Sequence, residues 1–235
     1  MVRIRNEINF ETWYFEDWHH YDKKRIPIRR LYSDVLKWAN EFTRFNLLDG
    51  RGKTSLDVGC AHAYMVELLT DLGYKAYGCD LSRLYLAKYA KRVTKDLVLC
   101  DAQKLPFHEE SFDIITAMEL IEHLGNQDEF LHNCFKCMKP KGALVLQTPK
   151  ETPSISGLLS RIYAKVVSKS SNVEQHVNAL VNTSDLTTKL SHNGFISYVE
   201  TWYLLPLDAT ILGRYFPTRV PIAVPTFRAI AFKQD

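Results

Sequence analysis

Between residues 53 and 149, apolar runs of strand length alternate with segments of helical periodicity. No other feature restricts the fold as strongly. Thr54 to Val58 reads as a short buried strand, and Tyr64 to Leu72 as a helix that Gly73 stops. Lys75 to Cys79 is a second strand, followed by a helix over Leu84 to Val93 with Ser82 as its cap. Leu97 to Cys100 and Phe112 to Met118 supply strands three and four. Gln127 to Met138 reads as a helix stopped by Pro140, and Ala143 to Gln147 as strand five. Strands joined through helices pair in parallel, and a parallel sheet must be covered on both faces.

The rhythm breaks after Pro149. A basic amphipathic stretch, Ile155 to Lys169, leads into a polar loop. A helix capped by Ser184 and ending at Gly194 follows, then a strand over Phe195 to Tyr203. A Pro-rich loop spans 205–225, and a last strand Thr226 to Phe232 closes the chain. Upstream, the spacing of Leu31, Val35, Trp38, Phe42 and Phe45 predicts an amphipathic helix from Ile28 to Phe45, after an aromatic-rich stretch around Trp13 to Tyr21. The expected organisation is a helical lid over 1–50 and one α/β domain over 51–235, in which 150–182 and 205–225 cap the site.

Composition narrows the function classes. With 30 Lys and Arg against 27 Asp and Glu, the net charge of +3 is too small to signal a nucleic-acid binder. The most apolar stretch, Leu204 to Phe227, is interrupted by Asp208, Arg214, Arg219 and prolines, so no membrane-spanning helix is expected. Five cysteines without a secretory leader point to reduced thiols in the cytoplasm. Arg161, Lys165 and Lys169 share a helical face that suits peripheral contact with an anionic surface, or simply a solvated face.

Four strand-end segments carry candidate chemistry. In Leu56-Asp57-Val58-Gly59-Cys60-Ala61-His62-Ala63 a strand runs into a tight turn and a helix begins. Such a turn brings backbone amides to a ligand, and Gly59 removes a side chain at the closest approach. Asp80, 21 residues after Gly59, ends the second strand, where a carboxylate accepts both hydroxyls of a nucleoside ribose. Asp101, after strand three, is placed for an adenine amine, and Met118 ends strand four beside the same crevice. Alone, each is an ordinary strand-helix turn or a solvated Asp; their common spacing is what favours a nucleoside.

The ordered set LDVGCAHAY, GCDLS, CDAQKLPF, SFDIITAMELIEHL and CMKPKGALVLQTP resembles the class I S-adenosylmethionine (SAM)-dependent methyltransferases, especially the small ubiquinone/menaquinone-biosynthesis-like branch. The resemblance implies a Rossmann-like, mostly parallel seven-stranded sheet with a reversed final strand. It implies SAM held by Asp57, Gly59, Cys60, Ala61 and Tyr64, with ribose on Asp80 beside Leu81. Adenine would lie near Asp101, Ala102 and Gln103, with Met118 lining the crevice and S-adenosylhomocysteine as product. The family pattern has glycine at 59, 61 and 63, whereas this chain has Ala61 and Ala63. An alanine adds one methyl beside the cofactor and fits only if φ is negative; such a variant can weaken binding without abolishing it.

Glu119-Leu120-Ile121-Glu122-His123, if helical, puts Glu119, Glu122 and His123 on one face. His123 is the first candidate general base and His176 the second. In some relatives an ExxEH segment and a later His bind a divalent cation, which here implies Glu119, Glu122, His123 and His176 as ligands. The bland alternative is that His123 merely packs near the cofactor. Cys134 and Cys137 have CxxC spacing without a second pair, and read as packing cysteines.

The expected activity is methyl transfer to a small-molecule or lipid-like acceptor, with oxygen as the expected atom. Two rivals stay open: an RNA-modifying methyltransferase, favoured by ExxEH with His176, and a non-catalytic interaction protein, suggested by Ala61 and Ala63. A dinucleotide-dependent dehydrogenase is disfavoured by the missing GxGxxG turn.

Overall fold

Seven strands form one sheet in the order β3-β2-β1-β4-β5-β7-β6. The computed structural model describes residues 25–149, 183–204 and 224–233. The strands are β1 Thr54–Val58, β2 Lys75–Asp80, β3 Leu97–Leu99, β4 Phe112–Met118, β5 Met138–Pro149, β6 Phe195–Leu204 and β7 Val224–Lys233. The first five pair in parallel. β7 inserts between β5 and β6 and runs antiparallel to both. Strand order reverses at β1, so the crevice for a ligand opens at the carboxyl ends of β1, β2 and β4.

The helices are α1 Arg25–Asn40, α2 Tyr64–Asp71, α3 Arg83–Lys88, α4 Gln127–Cys137 and α5 Thr183–His192. One sheet face is covered by Leu31, Val35 and Leu36 of α1, Met65 and Leu69 of α2 and Leu86 of α3. The opposite face is covered by Phe130, Leu131 and Cys134 of α4 and by Leu186 and Leu190 of α5. With both faces buried, Ile114, Ile115, Leu144, Val145 and Leu146 have no solvent exposure. That explains why the middles of β4 and β5, Ile114–Ile115 and Ala143–Leu146, read as apolar runs rather than alternating ones.

Several sequence-derived boundaries move. α1 ends at Asn40 instead of Phe45, because the Asn40 side chain accepts from Leu47 N–H at 2.6 Å and turns the chain. α4 ends at Cys137, and Met138, Lys139 and Pro140 already belong to β5, with Met138 in register with Phe112. The helix expected over Leu84 to Val93 is α3 followed by a separate 3₁₀ turn, Ala90–Arg92. Ser184 lies inside α5 rather than capping it. The stops and caps at Gly73 (φ 94°) and Ser82, whose hydroxyl accepts from Tyr85 N–H at 3.2 Å, are as read. The aromatic stretch Trp13 to Tyr21, the basic stretch Ile155 to Lys169, the loop 205–223 and His176 lie outside the described residues.

Candidate active site

The β1–α2 loop is left-handed at three positions: Gly59 (φ 74°), Ala61 (φ 41°) and Ala63 (φ 60°). Neither alanine therefore meets the condition of negative φ under which its methyl would fit without strain. The loop keeps a backbone suited to glycine and carries the methyl groups at a cost of about 1–2 kcal/mol each. At Gly59 no such substitution is tolerated cheaply, since a Cβ would sit 2.8 Å from Leu120 Cδ1. Ala63 is fully buried, whereas Ala61 is half-buried beside the crevice.

Asp80 ties this loop to β2. Its Oδ2 accepts from Ala61 N–H at 2.8 Å and its Oδ1 from Ser82 N–H at 2.8 Å. A carboxylate has about four acceptor sites, so these two bonds do not use its full capacity. Below it, Asp57 is buried and its Oδ1 accepts from Thr116 Oγ1 at 2.7 Å. Burial, reinforced by the charge of Asp80, raises the Asp57 carboxyl to about 7. Burial also pushes Asp80 above the usual carboxylate range. A positive charge placed beside them would lower both carboxyls.

Of the other nucleoside candidates, Leu81 is 72% exposed, while Ala102 and Met118 are buried and Asp101 is half-buried. Asp101 Oδ1 accepts from Gln103 N–H at 2.9 Å and from Gln103 Nε2 at 3.2 Å, which fixes the carboxylate in the loop after β3. Gln103 also anchors that loop to the start of α4 and to its body. Its Oε1 accepts from Asn126 N–H at 2.7 Å, and its carbonyl accepts from Asn133 Nδ2 at 3.0 Å. Cys60 and Cys79 are buried, and burial lifts the Cys60 thiol well above its ordinary value, as expected of apolar neighbours rather than nucleophiles. Cys134 and Cys137 are buried in the core, in keeping with a packing role.

The ExxEH segment is not an α-helix. Glu119 is left-handed (φ 54°), and only Ile121–His123 turn, as a 3₁₀ helix. The acidic pair therefore does not line up at i and i+3. Glu119 Oε1 accepts from Gln147 Nε2 at 2.8 Å, and Glu122 Oε2 accepts from Thr148 Oγ1 at 2.8 Å, so both point back to the end of β5. The reason is the Glu119 backbone, whose N–H is held by the Gln147 carbonyl at 2.8 Å. Burial and the neighbouring Glu119 charge raise Glu122 to about 8, and burial also raises Glu119. His123 is about one-third exposed, its Nε2 lies 3.8 Å from Glu122 Oε1, and partial burial holds it below the usual imidazole value. Among the described residues, no three His, Cys, Asp or Glu side chains are grouped to hold a metal.

Sequence reading missed a second polar cluster. Arg228 of β7 lies between two indole rings, 4.3 Å from the Trp38 centroid and 4.4 Å from that of Trp202. Its guanidinium meets Glu200 Oε1 at 3.2 Å, and Trp38 Nε1 donates to Glu200 Oε2 at 3.0 Å. These residues come from α1, β6 and β7 and share no local motif. The one available signal was a charged residue at the centre of the apolar strand Thr226 to Phe232.

A sheet of this order with a crossover loop and acidic residue so placed defines the class I methyltransferase fold. Comparison with known proteins agrees. Residues 56–146 match the family described as "Methyltransferase domain". A ubiquinone biosynthesis O-methyltransferase of Azoarcus sp. is 33% identical over 116 residues, which cover 45% of this chain and 49% of that protein. One of Bartonella bacilliformis is 27% identical over 166 residues, covering 66% of this chain and 67% of that protein. The chain thus spans about half the length of the Azoarcus relative, and as little as 38% of another. A SAM-dependent methyltransferase structure from Thermotoga maritima superposes with a TM-score of 0.63 at 18% identity, covering 94% of this chain and all (100%) of that one; this likeness is of fold.

Proposed function

We propose that this protein transfers a methyl group from SAM to an oxygen of a small-molecule acceptor. The observation that carries the reading is Asp80, which joins the left-handed loop to the end of β2 through Ala61 N–H and Ser82 N–H at the strand edge where the order reverses. Asp80 would take the ribose hydroxyls, the amides of the 59–63 loop the methionine end, and Asp101 with Ala102 the adenine. SAM supplies an activated methyl on a sulfonium, so the protein's work is placement and exclusion of water.

His123 is the base in this reading. Its lowered value leaves the imidazole neutral near pH 7, ready to take the hydroxyl proton of the acceptor. The hydrogen bonds that turn Glu119 and Glu122 toward β5 favour this role over a divalent-cation site completed by His176. Ubiquinone O-methylation by the named relatives supports oxygen as the target. α1, with the rest of 1–50, and the segments 150–182 and 205–225 would enclose the acceptor, as a lid and a cap. All five cysteines are free, as a reducing compartment such as the cytoplasm requires. No helix among the described residues is long and apolar enough to cross a membrane.

Calorimetric titration with SAM and with S-adenosylhomocysteine, with and without Mg²⁺, tests the reading. Micromolar binding of both, indifferent to Mg²⁺, is expected. No binding by folded, cofactor-free protein would refute methyl transfer, and Mg²⁺-dependent binding would replace the base with a metal. Product analysis with hydroxyl and amine acceptors decides the atom: methylation of amines alone would refute the oxygen assignment.

A further inference from the structure

One row of side chains crosses four strands on the face that α1 covers. Met118 of β4 is in register with Gln147 of β5, Gln147 with Arg228 of β7, and Arg228 with Glu200 of β6. Residues directly opposite on neighbouring strands share a face. Trp202 lies two residues beyond Glu200, hence on the same face. The row starts at the cofactor crevice with Met118, and Arg228 is two strand spacings from it, roughly 10 Å.

Three buried polar atoms in this row have no hydrogen-bond partner: Gln147 Oε1, Arg228 Nε and Trp202 Nε1. Gln147 is 1% exposed and Trp202 5% exposed. Buried polar groups in folded proteins are nearly always satisfied, so three unsatisfied ones together call for a partner. The rest of the cluster is already committed. Glu200 takes both the Arg228 guanidinium and the Trp38 N–H, and Gln147 Nε2 is spent on Glu119. The buried atoms left with no partner at all are two N–H donors and one carbonyl acceptor.

From this arrangement we infer that Gln147, Arg228 and Trp202 form an acceptor-recognition subsite for a neutral group that pairs a carbonyl oxygen with a hydroxyl or amide N–H. The carbonyl takes the Arg228 and Trp202 donors; the hydroxyl or amide donates to Gln147 Oε1. Neutrality follows from charge: Glu200 already balances Arg228, and Glu119 stands behind Gln147, so an incoming anion finds no unmatched cation. Trp38 and Glu200 are positioning residues that hold the guanidinium in place. The purpose of the subsite rests on the methyl-transfer reading, but its binding chemistry does not.

Benzamide, which carries both groups on one flat neutral ring, is the probe, with benzoate as its anionic counterpart. Binding is followed by saturation-transfer NMR on the full chain, with and without saturating S-adenosylhomocysteine. Benzamide is expected to bind more tightly than benzoate in both conditions. Trp202→Phe removes one donor and keeps a ring against Arg228; Arg228→Lys keeps the charge and loses the Nε donor. Each is expected to weaken benzamide about tenfold, with S-adenosylhomocysteine affinity unchanged. Should Arg228→Lys fail to fold by circular dichroism, Trp202→Phe carries the test. Absence of benzamide binding, equal binding by wild type and Trp202→Phe, or a preference for benzoate would overturn the subsite. If benzamide behaves as expected while S-adenosylhomocysteine does not bind, the subsite stands and the methyltransferase reading falls.

Discussion

Ala61→Gly should stabilise this protein, against the ordinary direction of an alanine-to-glycine change. Ala61 has φ 41° and is half-buried, so its methyl contributes little core packing. Relief of left-handed strain at an L-residue is worth about 1–2 kcal/mol. The added freedom of glycine in the unfolded chain offsets about 0.4–1 kcal/mol of this. The balance is a gain of roughly 0.5–1 kcal/mol, or about 1–4 °C in Tm for a chain of this size. Differential scanning calorimetry of wild type, Ala61→Gly and Ala87→Gly reads it directly. Ala87 is an exposed residue of α3, where glycine should cost up to about 1 kcal/mol. The two variants must move Tm in opposite directions. A fall in Tm for Ala61→Gly matching that of Ala87→Gly would mean that position 61 is not left-handed, and the account of the loop would fail. SAM affinity in Ala61→Gly should stay the same or tighten, because a methyl group beside the crevice has been removed.

Other outcomes follow from the same geometry. Asp80→Ala should lower SAM affinity at least tenfold by calorimetry, since it removes the ribose acceptor and the anchor of Ala61 N–H together; unchanged affinity would remove Asp80 from the cofactor site. His123→Ala should leave SAM affinity intact and cut turnover on a hydroxyl acceptor about 100-fold or more, read as product formed at saturating SAM. Stability should fall as pH rises from about 4 to 8, because Glu122, raised to about 8 by burial, binds a proton in the folded chain that the unfolded chain has released. Glu122→Gln should flatten that loss by on the order of 3–4 kcal/mol at most, measured as urea unfolding at pH 5 and pH 8.5; equal slopes in both proteins would refute the assignment.

The strand-end half of the proposed site was legible in sequence because it is local. Asp57, Gly59, Asp80 and Asp101 each sit at the end of a strand whose apolar run is visible by eye, and a parallel sheet brings all those ends to one edge. The backbone of the same loop was not legible. Alanine usually signals negative φ, and the contacts that hold Ala61 and Ala63 left-handed, Asp80 to Ala61 N–H among them, are tertiary. The ExxEH segment failed similarly: its spacing fits a helix, yet the Gln147 carbonyl 28 residues away holds Glu119 N–H and breaks it. Nothing local marks the Trp38, Gln147, Glu200, Trp202 and Arg228 cluster, which exists only once β7 has inserted between β5 and β6.

The distribution of strain separates the working edge of the sheet from the rest. Among the described residues, five non-glycine positions have positive φ: Ala61, Ala63, Glu110, Glu119 and Lys141. Glu110, in a turn, and Lys141, near the start of β5, are exposed and lie away from the crevice. The other three line the carboxyl edge, where the buried carboxyls of Asp57 and Glu122 and the unsatisfied Gln147 Oε1 also gather. Such features persist only where surrounding structure over-determines them. Here that structure is β1, β4 and β5, whose central residues are wholly enclosed between α1, α2, α4 and α5. The electrostatic features are also of a kind that a ligand would relieve: a positive charge beside Asp57 and Asp80, and a polar group for Gln147. An interaction module with no ligand would have no reason to concentrate strained backbone, raised carboxyls and unpaired polar atoms on the one edge where the strand order reverses. That coincidence is the physical argument against reading Ala61 and Ala63 as marks of a lost site.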